Sequence, residues 1–445
     1  MKPSQRRHAR ANPRSSKRYR GACRRRRLFL ETLEKRWLLD GVGPSILAFT
    51  PNEVRNDVFD HIDVTFNEAI DLATFTVDDV SINGPSGNVS ASNIGLVSGN
   101  TYRIDFAPLT VRDNYEAILG PDVADLNGNL MDQNQDGTNG AADDTYLAAF
   151  VYIDASTIFN GNLTIAEGDT TYDGEDILID GATVAIDGSH AFNSVHLVNG
   201  AILTHSANTT TATYKLDFAV NEQVIVDASS RIDVSGKGYP QWMAAPGAAV
   251  PTRASGGSHG GSGGDGYVNS NPGSAGSVYG NYADPNELGG GAGFTHSTTT
   301  GSGGGLVRIE AASLYLDGQI LSDGQRSQGP SGGGGGAGGT IYVEVGFLTG
   351  SGSMHARGGN GVGFVYYGSN TGGGGGGGGR VAVYASDSSG FDLQGVTATG
   401  GFGSKGGSFI GAPGGAGTVY LRDTDEAVGT LIIDGSGGGA GWTPH

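Results

Sequence analysis

Short runs of alternating apolar and polar residues follow one another along the first third of the chain. Ile46-Leu47-Ala48-Phe49, His61-Ile62-Asp63-Val64-Thr65-Phe66, Val77 to Ile82, Ser92 to Val97, Tyr102 to Phe106 and Tyr115 to Leu119 each last only a few residues. Turn formers such as Pro51-Asn52 separate them. A period of two bounded by turn residues is the signature of half-buried strands. About seven such strands in about 100 residues predict an Ig-like β-sandwich over residues 44–152. From 153 to 235 the runs shorten. Ile177-Leu178-Ile179-Asp180-Gly181, Thr183 to Gly188, Val195 to Gly200 and Ile232 to Gly236 end in Asp-Gly, Asn-Gly or Ser-Gly. Close succession of such short strands predicts the start of a parallel β-helix or solenoid. Asn-Gly and Asp-Gly also close ordinary hairpins, so a second sandwich stays open at this point.

Residues 236–445 repeat a longer unit: a Gly run, a strand, a Gly turn, a second strand and a loop. The first strands begin at Leu306, Thr340, Arg380 and Thr418; the second strands follow Gly318, Gly352, Gly395 and Gly429. A spacing of roughly 35 to 40 residues marks a repeat architecture, in which each unit buries its apolar face only against its neighbours. The composition sharpens this picture. Of 81 glycines, 64 lie after Ser235. Runs such as 332–336 and 372–379 would be flexible as isolated linkers, but they recur at fixed phase to the strands. Packed polyglycine helices are therefore an alternative to plain loops, while the lack of a strict G-X-Y period excludes collagen. The fold class expected is all-β: an Ig-like sandwich followed by a Gly-rich solenoid.

The net charge of −18 hides a division. Residues 1–40 hold 14 of the 27 Lys and Arg and three acidic residues, leaving about −29 on the rest. A body this acidic repels nucleic acid, so no nucleic-acid partner is expected. One cysteine, Cys23, excludes a disulfide framework and a thiolate metal site in the body. No run of about 18 apolar residues predicts a membrane span. No sortase-like or lipid-anchor signal is read at Trp442-Thr443-Pro444-His445. The oligomeric state is not legible.

The basic head, residues 1–43, reads as an export segment. It lacks the unbroken apolar core of a standard signal peptide. Leu33-Glu34-Lys35-Arg36-Trp37-Leu38-Leu39 resembles the L-E-P-R-x-L-L sorting signal of planctomycete surface and secreted proteins, with Lys35 at the usual proline. That resemblance implies secretion or display at the cell surface. Residues 44–152 resemble the bacterial Ig-like domains of S-layer and other surface proteins, through the opening strand between Pro44 and Pro51, Ile62 to Ile70, and the late Asp125-Leu126-Asn127-Gly128-Asn129. The resemblance implies a spacer or adhesive module. Residues 236–445 are similar to the Gly-rich repeats of large bacterial adhesin-like proteins.

One motif carries metal chemistry. Asp132-Gln133-Asn134-Gln135-Asp136-Gly137 places oxygen-bearing side chains at positions 1, 3 and 5 of a loop and glycine at 6; Thr138 falls at 7 and Asp143 at 12. Alternate side chains can then converge on one hard cation, which makes Asp132, Asn134, Asp136, Thr138 and Asp143 candidate Ca²⁺ ligands. The same residues also suit a polar turn. Catalytic motifs are absent. The G-x-S-x-G matches at Ser258 and Ser262 lack a strand–turn–helix context. A polysaccharide lyase or hydrolase is the alternative function. It would draw on residues such as Asp233, Asp317, Glu310 and Arg308, though nothing singles them out. Aromatics punctuate the Gly-rich loops, among them Tyr239, Trp242, Tyr267, Tyr279, Tyr282, Phe402 and Phe409; they either stack on sugars or plug gaps. The expectation is a non-catalytic structural or adhesin-like protein, stabilised by Ca²⁺, whose partners are polysaccharide or other envelope proteins.

Overall fold

The computed structural model describes residues 41–445 apart from 51–53, 56–57, 86, 112, 294–299, 329–331, 367–368, 436–442 and 444–445. The basic head with its sorting motif lies outside the described residues. Among those residues there is no α-helix; two single 3₁₀ turns, Val77–Asp79 and Leu393–Gly395, are the helical segments. None is long and apolar enough to cross a membrane.

The first third is a sandwich. One sheet orders the strands Ile46–Thr50, His61–Phe66, Thr101–Phe106 and Ala91–Ser98, all antiparallel. The other runs from Val54–Arg55 through Tyr146–Tyr152, Asp113–Leu119 and Val80–Gly84 to Gly87–Val89. Alternation dictates this arrangement. In His61–Phe66 and Thr101–Phe106 every second residue is buried, so Ile62, Val64, Phe66 and Tyr102, Ile104, Phe106 face one core. Facing them are Ile82, Tyr115, Ala117, Leu119 and Phe150. The Tyr115 hydroxyl donates to the Val111 carbonyl four residues upstream (2.6 Å), pinning the turn before its strand.

A second apolar core begins at Phe159 and runs without a break to Val419. Two parallel sheets enclose it. The larger stacks Thr157–Phe159, Asp176–Asp180, Ser194–Val198, Leu216–Val226, Leu306–Leu316, Thr340–Gly350, Arg380–Phe391 and Thr418–Asp423. The smaller stacks Leu163–Ile165, Thr183–Ile186, Ile202–Thr204, Arg231–Asp233, Gln319–Leu321, Ser353–His355 and Val396–Thr397. The first seven coils give one strand to each sheet, as a solenoid requires, and the second-sandwich alternative falls away; the strand expected after Gly429, Thr430–Ile432, instead folds back antiparallel on Thr418–Asp423 at the edge of the larger sheet. A small cluster of Ile153, Leu178 and Val198 links the two cores.

The glycine runs are not loops. Residues 374–379 donate their amides in strict rotation: Gly374 and Gly377 to Ala254 and Gly257, Gly375 and Gly378 to Ala412 and Gly415, Gly376 and Gly379 to Gly359 and Ala356, all at 2.7–2.9 Å. Residues 335–339 repeat the rotation, with Gly335 and Gly338 bonded to Gly374 and Gly377. Three neighbours taken in turn every three residues is the period of the polyproline-II backbone, which has no internal hydrogen bonds to satisfy its own groups. The runs pack side by side as polyglycine helices, and the open alternative of the sequence resolves in that direction. Side chains are excluded by contact. A Cβ on Gly376 would stand 1.9 Å from the Gly336 oxygen, and one on Gly338 2.1 Å from the Ala356 oxygen.

Two histidines are sealed against this block. His205 Nδ1 donates to the Ser206 carbonyl (2.7 Å) while Nε2 accepts from the Leu306 amide (3.3 Å). His259 Nδ1 donates to the Gly338 carbonyl (3.0 Å), and its ring packs on Tyr279 at 5.0 Å. Burial, more than any neighbour, holds both rings neutral, with values pushed down to about 4 for His205 and about 3 for His259. The unfolded chain binds these protons near pH 6.5. The histidines' contribution is therefore complete above that value and lost progressively as pH falls towards 4. Unfolding midpoints recorded from pH 7.5 to 4 should fall over that window, and the fall should flatten in His205→Gln.

The glycine block makes a sharper prediction. Gly376→Ala should lower solenoid stability by about 3 kcal/mol or more, because backbone must move to admit the methyl group. Gly161→Ala, at an exposed glycine with nothing within 4 Å of the added carbon, should change it by less than about 0.5 kcal/mol. Urea unfolding of the two variants beside the parent checks both.

Candidate functional site

The Asp-rich loop closes the sandwich before its last strand. Asp132 is 2% exposed. Its Oδ1 accepts from the Asp136 amide (3.0 Å) and its Oδ2 from the Gly137 amide (3.1 Å). Asn134 Oδ1 also accepts from the Asp136 amide (2.9 Å), and Asp136 Oδ1 from Thr138 (2.7 Å). Gln135 and Gly137 take positive φ values of 60° and 83°, which coil the backbone so that alternate side chains turn inward. The candidates at positions 1, 3 and 5 thus lie together around one turn. Asp143 joins them by accepting from Asn134 Nδ2 (3.0 Å). Thr138 reaches the turn through its backbone. An open depression of about 500 Å³ lies against this turn, lined by Ser45, Asn67, Asp132 and Asp136 among others.

The donor set is all oxygen, which suits a hard cation. Yet among the described residues no three carboxylate, imidazole or thiol groups converge as a metal cluster. The loop is closed by its own amides. The sequence reading passed over Asp144, which is fully buried and accepts from the Asn134 amide (3.4 Å) and the Ala141 amide (2.9 Å). The adjacent Asp143-Asp144 pair was the available signal, and the twelve-residue spacing selected the more exposed member.

Asp125 anchors the neighbouring turn. Its Oδ1 accepts from the Asn127 and Asn129 amides, both at 2.8 Å, and its Oδ2 from their side-chain amides. Burial alone would raise this carboxyl, but the bonds from Asn129 and Asn127 together outweigh it and hold it below the usual carboxylate range. Asp125→Ala should destabilise the sandwich by about 2 kcal/mol at pH 7. A depressed folded value means that this difference is full above the unfolded value of about 3.9 and lost as pH falls through the lower folded one. Thermal unfolding of wild type and variant at pH 7 and pH 3 checks the sign.

Of the four residues named for polysaccharide chemistry, only Arg308 and Glu310 meet, as strand neighbours, and no two carboxylates are brought together. Asp233 pairs with Arg231 (3.3 Å) on the smaller sheet. Asp317 accepts from the backbone and hydroxyl of Ser351, both at 2.9 Å, on the next turn. Arg308 bonds Asp284 (2.7 Å), lies 3.8 Å over the Tyr342 ring, and has Glu310 at 4.0 Å. The Asp317–Ser351 and Arg308–Tyr342 contacts join successive coils; the Asp233 and Glu310 pairings lie within single strands. Ser258 is buried, donating to the Gly276 carbonyl and accepting from the Gly263 amide; Ser262 donates to its neighbour's carbonyl. Both lie within the glycine block.

The loop aromatics divide. Tyr279 is enclosed, its hydroxyl donating to Leu288 (2.7 Å), and it plugs the block. Tyr384 donates to the Ala283 carbonyl (2.6 Å) and packs on Tyr342 and Tyr420, so the segment around Ala283 is fastened over the larger sheet. Others stand at the end of the block away from the sheets. There the chain reverses between polyglycine runs in three hairpins, 267–272, 364–371 and 405–410. The first two are bonded directly: Tyr267–Val268 pairs with Thr371–Gly372, and the Asn269 amide donates to the Asn370 carbonyl (2.7 Å). The third abuts them where Gly406 meets the Thr371 carbonyl. Phe402, Val365 and Ile410 are exposed there by 59, 61 and 63%.

Residues 40–139 match the family described as bacterial Ig-like domain. The chain carries such a domain, and the sandwich expected from strand spacing is that module. Among solved structures, the N-terminal part of the bacterial S-layer protein SbsC is 18% identical, with a TM-score of 0.19, over 25% of this chain and 24% of that one. A longer structure of SbsC, spanning its residues 31–844, is 17% identical with the same TM-score, over 25% of this chain and 14% of that one. The chain thus spans less than a quarter of the length of these S-layer structures. No curated protein matches it.

Proposed function

We propose that this chain is an exported, non-catalytic structural protein of the cell envelope with adhesive capacity. The observation that carries the reading is the glycine block. Its backbone groups are spent on one another, and a side chain added at most of its glycines would meet backbone. Such a body is a rigid support, with function confined to what it displays. The bacterial Ig-like domain supports the same reading, since that module is a spacer in surface proteins. Export rests on the sorting motif at Leu33 to Leu39, and the planctomycete-type origin on that same motif. The ligand class favoured is polysaccharide, through ring faces at the block's end.

Calcium belongs to this proposal as a stabiliser. Asp132, Asn134 and Asp136 would supply side-chain oxygens, Thr138 its carbonyl and Asp143 a further carboxylate, neutralising part of the body's negative charge. Sites of this extracellular kind bind in the range of about 10⁻⁴ to 10⁻³ M. Millimolar Ca²⁺ should therefore raise the sandwich's thermal midpoint, and Asp132→Asn or Asp136→Asn should abolish the rise. An equal rise in these variants removes calcium from the account.

The reading itself is tested on residues 41–445 mixed with a panel of polysaccharides, with retention and release of new chain ends both recorded. Retention without new ends is expected. New chain ends would overturn the non-catalytic reading.

A further inference from the structure

We propose that the three hairpins at the end of the glycine block form one binding surface for a neutral polysaccharide, with the ring faces of Tyr267, Phe409 and Phe402 stacking on sugar rings. The inference deepens the adhesive reading and rests on it.

Three observations point there. The first is convergence. The hairpins come from separate positions in the sequence, about 100 residues apart for the first two, yet those two are hydrogen-bonded edge to edge and the third packs against them. Asn370 returns a bond, its backbone amide donating to Asn269 Oδ1 (2.8 Å). Each is flanked by Gly-rich segments bonded into the block, as at Gly264, Gly374 and Gly414. Anchoring the described strands in this way lowers the entropic cost of binding.

The second is chemistry. Tyr267 and Phe409 stack on one another, 24° apart with centroids at 6.0 Å, and both are half-buried, so the pair ties the first hairpin to the third and leaves its outer ring faces for a ligand. Phe402 stands out from the adjoining run, exposed by 59%. Around the rings the hairpins carry Ser, Asn, Thr and Gly beside the apolar Val268, Val365 and Ile410. Rigid aromatic faces among small hydrogen-bonding residues make an adaptable recognition surface. Sugars offer the matching pattern of apolar C–H faces rimmed by hydroxyls.

The third is charge. Residues 266–273, 363–372 and 402–411 contain no Asp or Glu and a single basic residue, Lys405, on a chain of net charge −18. A polycation would be recognised by carboxylates, which this surface lacks. A polyanion would have to approach an acidic body that repels it. A neutral polymer meets neither obstacle.

The test uses the chain from 41 to 445 on immobilised neutral glucan, mannan and galactan, with alginate as the anionic comparison. Phe402→Ala and the double variant Tyr267→Ala/Phe409→Ala are compared with the parent; Ile410→Asp adds a carboxylate without removing a ring. Phe347→Ala, an exposed position on the outer face of the larger sheet, serves as control. Retention of the parent on at least one neutral polymer is expected. It should weaken about tenfold or more in the tip variants at unchanged thermal midpoint, and stay unaltered in the control. Retention that survives the tip variants overturns this proposal and leaves the adhesive reading standing. So does retention on alginate alone. Loss of a self-associated form in the tip variants, seen by sedimentation without any polymer, would reassign the surface to a second copy of the chain. Failure of the parent to bind any polymer removes both readings.

Discussion

The amide-to-carbonyl hydrogen bond between neighbouring glycine backbones is what the larger part of this molecule depends on. Such a bond contributes only about 1 kcal/mol net, and ordering a glycine costs as much or more in backbone entropy. A lone run would stay unfolded. The block forms because each run is the continuation of a strand whose apolar residues are already fixed in the core. Gly379 leads into Arg380, where Val381 and Val383 are buried; Gly417 leads into Thr418 and Val419. The solenoid core orders the roots of the runs, and closing the lattice then costs little more than aligning what is already aligned.

That dependence explains the composition. Runs in this lattice touch at backbone distance on every side, and a Cβ almost anywhere inside would sit near 2 Å from a carbonyl oxygen. Glycine is selected here for what it lacks, not for the turns it permits. Most glycines in the block do not take the positive φ values that mark turn glycines elsewhere in the chain, such as Gly137 and Gly200. The sparse non-glycine positions mark its boundaries. Arg380, for instance, is buried and spends its guanidinium on the Tyr279 carbonyl and the Thr418 hydroxyl. Burial lowers its value to about 10, so it still carries its charge at neutral pH.

Much of this was legible from residues alone. Alternation in His61–Phe66 and Thr101–Phe106 gave the sandwich, and the phase of Leu306, Thr340, Arg380 and Thr418 gave the coils. The coils' second strands stack in register as well: Ile320 on Ile232, Met354 on Ile320. What escaped was long-range. Nothing in Gly372–Gly379 tells that successive amides point to residues near 254, 412 and 356. Nor does sequence reveal that hairpins at 267 and 370 share an edge. The Asp-rich loop was legible in another way: its spacing brought Asp132, Asn134, Asp136 and Asp143 to one turn, while the burial of Asp144 by the rest of the sandwich had no local signal.

A scaffold built this way separates rigidity from recognition. Inside the lattice, substitution is forbidden by contact distance, so sequence there has almost no freedom. At the reversals the chain leaves the lattice, and side chains return at once: Tyr267, Phe364, Phe402 and Phe409 all lie within three residues of a polyglycine run. Side chains are accommodated at those positions where a Cβ inside the runs would meet backbone. They are thereby gathered at one end of the block, on a base that does not deform. An immunoglobulin fold reaches a similar division with strands and loops; here a lattice with almost no side chains takes the place of the strands, and the proposed binding surface follows from that division, since ring faces gather at its end and not within its body.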